Sequence, residues 1–546
     1  MLLLRISVLL LIALLVPSSL AAQVTFSQIA ITGGAAPGVI DGAEFDTFNG
    51  TSDFNDGAVI NAPGDVAFQA FLRTGTGTEV NSDNEQAIFG PTSGTGSPLG
   101  LIVREDTSAL GVASGTEFDS FFDTVSLNAS GDVSFLASLR PTESNSFVRD
   151  DAVFGPTSGA GSPLGLVARL ADLAPGIEEA IIVGFGAHSL NSSGDVVFKA
   201  FFRTELGESG NGIFGPTSGA GSSLGPIVQR GDPIPEPDEG MFDLLIEHPS
   251  LSFNTSGDVA FLSLLDAGPS SSDEAIFGPM SGAGSSLGVI AQEGTPAPGV
   301  DDGAVFDAFS VFSESGMFFL GFGGVVLNDS GDMTFNALLR TGTGNDVDVN
   351  NNSAIFGPTS GAGSPLGLIA REGEPAPGVD DGAEFANFAD ASSLNSSGDM
   401  AFVAGLRTGT GGVVDDNNDL GLFTSIDGEF QLIVREGDLF TVTLPDGSGT
   451  EDRTISFIEF SQNGMNDTGT LVLSLNFTDG TQGIFTAANS PVLLGDVNQD
   501  EVVNFLDISP FITVLSNGGS QAEADLNGDG QVNFLDISPF IISLAS

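Results

Sequence analysis

The chain has 546 residues, with 71 acidic and 14 basic side chains and a formal net charge of −57. Charge of that sign and size argues against binding nucleic acid or an anionic membrane surface. The length exceeds one ordinary compact domain, the absence of Cys removes disulfides as a source of stability, and 44 Phe with no Trp or Tyr leave Phe to carry the aromatic packing.

Residues 1–22 read as a secretory signal: Arg5 gives a positive start, residues 8–16 an apolar run, and Ser19-Leu20-Ala21 small residues for cleavage. The competing reading is a membrane anchor, for which the run is short. No later stretch reaches spanning length, so the mature chain is expected to be secreted, extracellular or at the cell surface, with no membrane span.

From residue 23 to 488 the chain repeats. Asn-x-x-Gly, mostly followed by Asp and an apolar alternation, starts at Asn61 (NAPGDVAFQAFL), Asn128, Asn191, Asn254, Asn328, Asn395 and, degenerate, Asn466 (NDTGTLVLSLNF), in steps of 63 to 74 residues. Each unit reads as four short strands. Strand b ends in Leu-Asn, as over residues 118–128. The Asn-x-x-Gly-Asp stretch is a turn, and strand c follows with strict alternation, as in Val133-Ser134-Phe135-Leu136-Ala137. Strand d is the run Ala-Ile-Phe-Gly. A GPTSGxGSxLG loop then leads to strand a, such as Leu101-Ile102-Val103-Arg104. In the sixth unit that loop shrinks to Ser425-Ile426-Asp427-Gly428-Glu429, a hairpin signal that makes d and a antiparallel neighbours.

Repeated four-stranded antiparallel units predict an all-β, seven-bladed β-propeller. Its ends fit closure. Residues 26–32 form an isolated strand a at the front, and the last unit has b, c and d but no a. The N-terminal strand is therefore expected to complete the seventh blade. The pattern resembles a family of exported bacterial proteins built from tandem Asn-x-x-Gly-x-x-x-Phe repeats. Asn61, Gly64 and Phe68 match it, as do Asn128, Gly131 and Phe135 and four further copies, while Leu473 replaces Phe in the seventh. The resemblance implies architecture and export, not chemistry.

After a linker at 489–494, residues 495–546 hold two near-copies, GDVNQDEVVNFLDISPFITVL and ADLNGDGQVNFLDISPFIISL. Each supplies oxygen donors at loop positions 1, 3, 5, 9 and 12: Asp496, Asn498, Asp500, Asn504 and Asp507 in the first, Asp525, Asn527, Asp529, Asn533 and Asp536 in the second. Position 7 adds the carbonyls of Val502 and Gln531. Calcium takes six to eight hard oxygens, and a twelve-residue loop can wrap them around one ion. Two Ca2+ sites are expected. The second should be tighter, because Gly530 sits where the loop turns sharply and Glu501 stands there in the first. Tandem loops of this kind, each followed by a helix, resemble a dockerin domain of the EF-hand type, a small α module. The resemblance implies a cohesin-like partner. However, loop positions 10 and 11, which commonly read that partner with polar residues, are Phe505-Leu506 and Phe534-Leu535 here, so docking on the chain's own propeller or on a cell-surface component is the alternative. Pro510 and Pro539 are expected to restart the helices behind caps at Ser509 and Ser538.

No phosphate-binding loop, nucleophile elbow or zinc-protease motif occurs, and His188 and His248 are the only histidines. No catalytic residue is assigned. Most acids recur at equivalent turn positions (Asp65, Asp132, Asp195, Asp258, Asp332, Asp399). The recurring Arg of strands a and c reads as ion pairing between blades. The expected function is a secreted, non-catalytic binding or scaffold propeller held through a calcium-binding module, with a polysaccharide as possible ligand. A polysaccharide-degrading enzyme carrying a dockerin and a structural surface protein are the alternatives.

Overall fold

The computed structural model describes residues 23–39, 42–48, 57–77, 80–112, 114–141, 150–217, 222–235, 240–245, 251–266, 272–300, 303–309, 324–344, 347–379, 382–409, 414–426, 429–490, 497, 503–517, 524, 526 and 532–544. The signal at 1–22, His248 and the Asp427-Gly428 turn lie outside them.

Seven antiparallel sheets follow one another along the chain. The second blade is typical: Thr116–Leu127, Val133–Pro141, Asp151–Pro156 and Leu164–Arg169, paired in the order b-c-d-a. In the sixth blade, Leu420–Ile426 and Glu429–Arg435 pair from Ile426 opposite Glu429 onward, the hairpin expected from the shortened loop. The seventh blade contains Leu439–Thr443, Thr450–Glu459, Leu471–Phe477 and Gln482–Ser490, and Gln23–Ile31 is hydrogen-bonded to the last of these. The N-terminal strand thus closes the ring as the sequence predicts. Strand Leu439–Thr443 is an addition that the repeat does not foretell. It lies in the degenerate copy, and it curls back so that Gln28 exchanges two hydrogen bonds with the backbone of Thr443 and Phe26 meets Phe440 edge-on at 5.0 Å.

Phe fills each blade through its register. The Phe of Asn-x-x-Gly-x-x-x-Phe stands directly opposite the Phe of Ala-Ile-Phe-Gly, as in Phe135 with Phe154 and Phe335 with Phe356. These rings stack at 5.4 and 5.7 Å, and a third ring from strand b, Phe118 or Phe306, closes on them edge-on at 5.0 Å. Such pairs add about 0.5–1.5 kcal/mol each beyond their buried area. In the seventh blade Leu473 faces Phe485 in the same register.

Neighbouring blades are clamped through polar groups. Gln86, Glu274 and Gln482 lie at or near the start of strand d of the first, fourth and seventh blades. Each side chain accepts from a backbone N–H of the next blade: Phe121 at 3.0 Å, Phe309 at 2.7 Å and Phe48 at 2.9 Å. The last of these joins the end of the ring to its beginning. The GPTSGxGS loop makes a second clamp, since Ala160 N–H donates to the Ser193 carbonyl of the following turn at 2.8 Å.

The arginines divide into two sets. Of those of strand c, Arg140 bridges to Asp106, Arg340 to Glu293 and Arg407 to Glu372 of the preceding blade as expected, whereas Arg73 pairs with Glu44 and Asp46 of its own blade. Those of strand a mostly do not bridge blades. Arg104, Arg371 and Arg435 bind the carbonyl and side-chain oxygens of Asn84, Asn351 and Asn418, and Arg169 pairs with Asp150, in each case closing the c–d loop of its own blade. Strand a is the neighbour of d, and that places its guanidinium beside the loop entering d.

Candidate calcium module and axial face

The C-terminal residues from Ala488 group with the N-terminal residues through Thr25 in a unit distinct from Phe26–Ala487. Helix Ile508–Asn517 follows a 3-10 turn at Phe505–Asp507, and helix Ile537–Ser543 follows the second loop. Phe511 and Phe540 stack face to face at 4.0 Å and, with Val497, Ala524 and Val532, make the module's small core. Helix starts differ from the expectation. Ser509 and Ser538 lie inside the helices, and the caps sit earlier: Asn504 accepts from Leu506 N–H at 2.7 Å while Asp507 accepts from Asn504 N–H at 2.8 Å. Pro510 is then in the first turn, where its missing N–H costs no intrahelical bond.

Of the twelve expected ligands, Asn504, Asp507, Asn533 and Asp536 are described. Asp496, Asn498, Asp500, Val502, Asp525, Asn527, Asp529 and Gln531 lie outside the described residues. The four repeat one geometry, because Asn533 and Asp536 make the same paired cap as Asn504 and Asp507, at 2.9 and 2.8 Å. Asp507 and Asp536 are both 0 % exposed. A buried carboxylate is costly without a cationic partner, and the last basic residue of the chain is Arg453. A hard cation fits this donor set, and the module has no side chain to serve in its place. Phe505, Leu506, Phe534 and Leu535 are 67–82 % exposed, so the apolar residues at loop positions 10 and 11 face solvent.

In the propeller the seven Asn-x-x-Gly turns meet around one depression of about 150 Å³, to which six contribute their Asn and the fourth contributes Thr255; Asp329 and Asp467 also line it. The amide of Asn61 donates to the carbonyl of Asn128, Asn128 to Asn191, Asn191 to Asn254, Asn254 to Asn328 and Asn328 to Asn395, at 2.9–3.3 Å. Asn466 reaches the carbonyl of Ala62 at 3.5 Å, across the closure. Each Asn oxygen also accepts from its own turn, as from Ser130 and Asp132 N–H. The repeat Asp is likewise engaged: Asp65 accepts from the Asn61 amide, the Thr95 hydroxyl and Gly96 N–H. Local turn chemistry was legible in the sequence. The ring of amides was not, because it depends on which turns become neighbours.

His188 is buried and hydrogen-bonded to the backbone of Ser134 in the preceding blade, and burial lowers its pKa to about 4, so it stays neutral. Glu105 is 5 % exposed and accepts from Gln86 N–H at 2.8 Å. Its pKa is raised to about 7, chiefly by burial and then by Glu85 and Asp119, against the Gln86 N–H and Arg140. A carboxyl that holds its proton more tightly folded than unfolded contributes stability below its ordinary value of 4.5. That contribution is lost as pH rises to about 7. Glu105→Gln should therefore flatten the fall in stability between those pH values, measured by urea denaturation, and leave the variant the more stable protein at pH 8.

Residues 19–155 and 148–491 match the model of a family of unknown function, DUF7453, and residues 494–542 match the dockerin type I domain. No curated protein matches the chain. Among solved structures, Trypanosoma rangeli sialidase aligns over 86% of this chain and 59% of its own at 10% identity and TM-score 0.28. The Hadza microbial sialidase Hz136 aligns over 77% and 73% at 11% identity and TM-score 0.30. Endo-1,5-alpha-L-arabinanase of Thermotoga petrophila aligns over 86% and 100% at 8% identity and TM-score 0.20. Values this low bear on neither mechanism nor substrate.

Proposed function

The chain belongs to the family of unknown function DUF7453 and ends in a dockerin type I domain, and from that premise we propose that it is an extracellular, non-catalytic binding or scaffold propeller tethered by a calcium-dependent module. The observation that carries this reading is the chemistry of the axial face. Six of its seven turn Asn donate to the next turn, and the repeat Asp, as at Asp65, is engaged by its own blade's loop. The two carboxylates that break the repeat around that depression, Asp329 and Asp467, are engaged by the preceding turns, Asp329 accepting from the Thr255 N–H and hydroxyl at 2.8 Å and Asp467 from the Ser396 N–H at 3.0 Å, which supports a structural rather than an acid–base role for them. The face is polar and lined by amides, hydroxyls and the carboxylates of Asp329 and Asp467, chemistry suited to a polysaccharide.

In the tail, Asp496, Asn498, Asp500, Val502, Asn504 and Asp507 would hold one calcium ion, and Asp525, Asn527, Asp529, Gln531, Asn533 and Asp536 a second, tighter one. Bound calcium would supply the positive charge facing the buried carboxyls of Asp507 and Asp536. Asn504 and Asn533 orient those carboxylates by donating their backbone N–H. The exposed Phe-Leu pairs favour a partner with an apolar face, either a cohesin-like domain or a cell-surface component.

The test uses the full exported chain on an immobilised cohesin panel and a polysaccharide array, with calcium and with chelator. Calcium-dependent capture through the tail, with retention of a polysaccharide that is not shortened, is the expected result. Release of reducing sugar would replace this reading with the enzymatic one.

A further inference from the structure

We propose that the cleft between the sixth and seventh blades binds a guanidinium group supplied from outside the chain. This cleft lies apart from the axial face and shares no residue with the calcium-binding loops.

The repeat itself defines the site. Twelve residues after each turn Asn, strand c carries Arg73, Arg140, Arg203, Asp266, Arg340, Arg407 and Thr478. Opposite, at the end of strand a of the preceding blade, Glu105, Glu293, Glu372 and Glu436 recur. At the fourth–fifth and fifth–sixth junctions the Arg reaches this Glu directly: Arg340 to Glu293 at 3.0 Å and Arg407 to Glu372 at 3.4 Å. At the first–second junction Arg140 binds the adjacent Asp106 at 2.8 Å and acts on Glu105 electrostatically. The third–fourth junction reverses both partners, with Arg230 at the Glu position and Asp266 at the Arg position. Only at the sixth–seventh junction does a Glu, Glu436, face a residue without charge.

There the exchange is concerted. The acids that flank the bridging Arg on its own blade, such as Glu384 and Asp307, are replaced by Thr454 and Ser456. Asn352 of the fifth blade has its counterpart in Asp419 of the sixth. The result is a cavity of about 440 Å³, lined by Glu436, Asp415 and Asp438 on one side and by Thr454, Ser456 and Thr478 on the other. Arg435 also lines it, but both its bonds go to Asn418, at 2.6 and 2.9 Å. Glu436 is hydrogen-bonded to Asp419, and its pKa is raised by burial first and by Asp419 and Asp415 next.

The independent indication of the ligand comes from the neighbouring junction, where the same positions already hold a guanidinium. Arg407 donates to the Asn350 carbonyl at 2.5 Å and to Glu372. Asn417 and Glu436 are the counterparts of those acceptors and both belong to the sixth blade. Gly437 lies against the Asn417 carbonyl as Gly373 lies against that of Asn350. A planar cation with several donors suits one carboxylate, one carbonyl and a wall of hydroxyls better than a point charge does.

The full chain in saturating calcium is titrated with N-acetyl-L-arginine amide, free L-arginine and N-acetyl-L-lysine amide, read by calorimetry and by protein-observed NMR. The arginine amide should bind with a dissociation constant of about 1 mM, at least about tenfold tighter than the lysine amide. Thr478→Arg, which places the repeat's own guanidinium in the cleft, should abolish that binding while keeping or raising the unfolding midpoint. Glu436→Gln should weaken it by at least about tenfold and serves if Thr478→Arg fails to fold. Tighter binding of the amide than of free arginine assigns the ligand to a partner's side chain, and the reverse to a small molecule; either order upholds the site. No binding by the wild type, equal binding by Thr478→Arg, or equal affinity for the lysine amide would overturn it.

Discussion

Gly194→Ala should destabilise the propeller by about 3 kcal/mol or more, whereas the same change at Gly469 should cost about 1 kcal/mol. Both are the Gly of an Asn-x-x-Gly turn, and both adopt the left-handed backbone, with φ of 78° and 76°. The conformational cost is therefore common to them. Their surroundings differ. A Cβ on Gly194 would lie 2.2 Å from the Ala160 nitrogen and 2.4 Å from the Gly159 carbonyl carbon, main-chain atoms of the GPTSGAGS loop on the preceding blade. That loop cannot withdraw without breaking the bond from Ala160 N–H to the Ser193 carbonyl, so the clash becomes a lost clamp between blades. Gly469 has open space, because the sixth blade replaces the loop by a tight hairpin. Urea denaturation of the two variants gives the comparison directly. Equal losses would mean that the turn alone, and not the clamp, requires glycine.

Chelation of calcium should unfold the C-terminal module while the propeller stays folded. Asp507 and Asp536 are wholly buried, and no basic residue follows Arg453. Removing the cations that balance these two buried carboxyls costs several kcal/mol each, on the order of magnitude of a broken buried ion pair. A core of Val497, Phe511, Ala524, Val532 and Phe540 is too small to absorb two such penalties. Adding chelator to the exported chain should abolish the helical circular dichroism of the tail and its slow amide exchange, and calcium should restore both. Asp536→Ala should lower the affinity of the second site more than Asp507→Ala lowers that of the first, given the tighter site expected there. Persistence of the tail's protected amides in chelator would refute the dependence on metal.

The repeat was readable because its determinants are local. Asn at the start of a turn, Gly at positive φ, strict alternation in strand c and Asp-Gly between strands d and a each act within a few residues. Those rules gave the blade number, the strand order and the closing role of the first strand. They failed where a copy degenerates, as at Leu439–Thr443, and at Ser509 and Ser538, where an earlier Asn–Asp pair had already capped the helix. They also misplaced the partners of Arg104, Arg371 and Arg435, since a regular charge does not say which loop its neighbour strand enters.

By itself the sequence determined the period, the turns, the Phe core and the spacing of oxygen donors in the tail, all properties of residues near one another along the chain. Only the tertiary structure decided which turn touches which. It made seven separate Asn into a ring, set Gly194 against a neighbouring backbone, and brought Glu436 to face Thr478 across a junction. The physical reason is that hydrogen bonds and charges act through space, and contacts between residues some sixty positions apart exist only once the blades have closed.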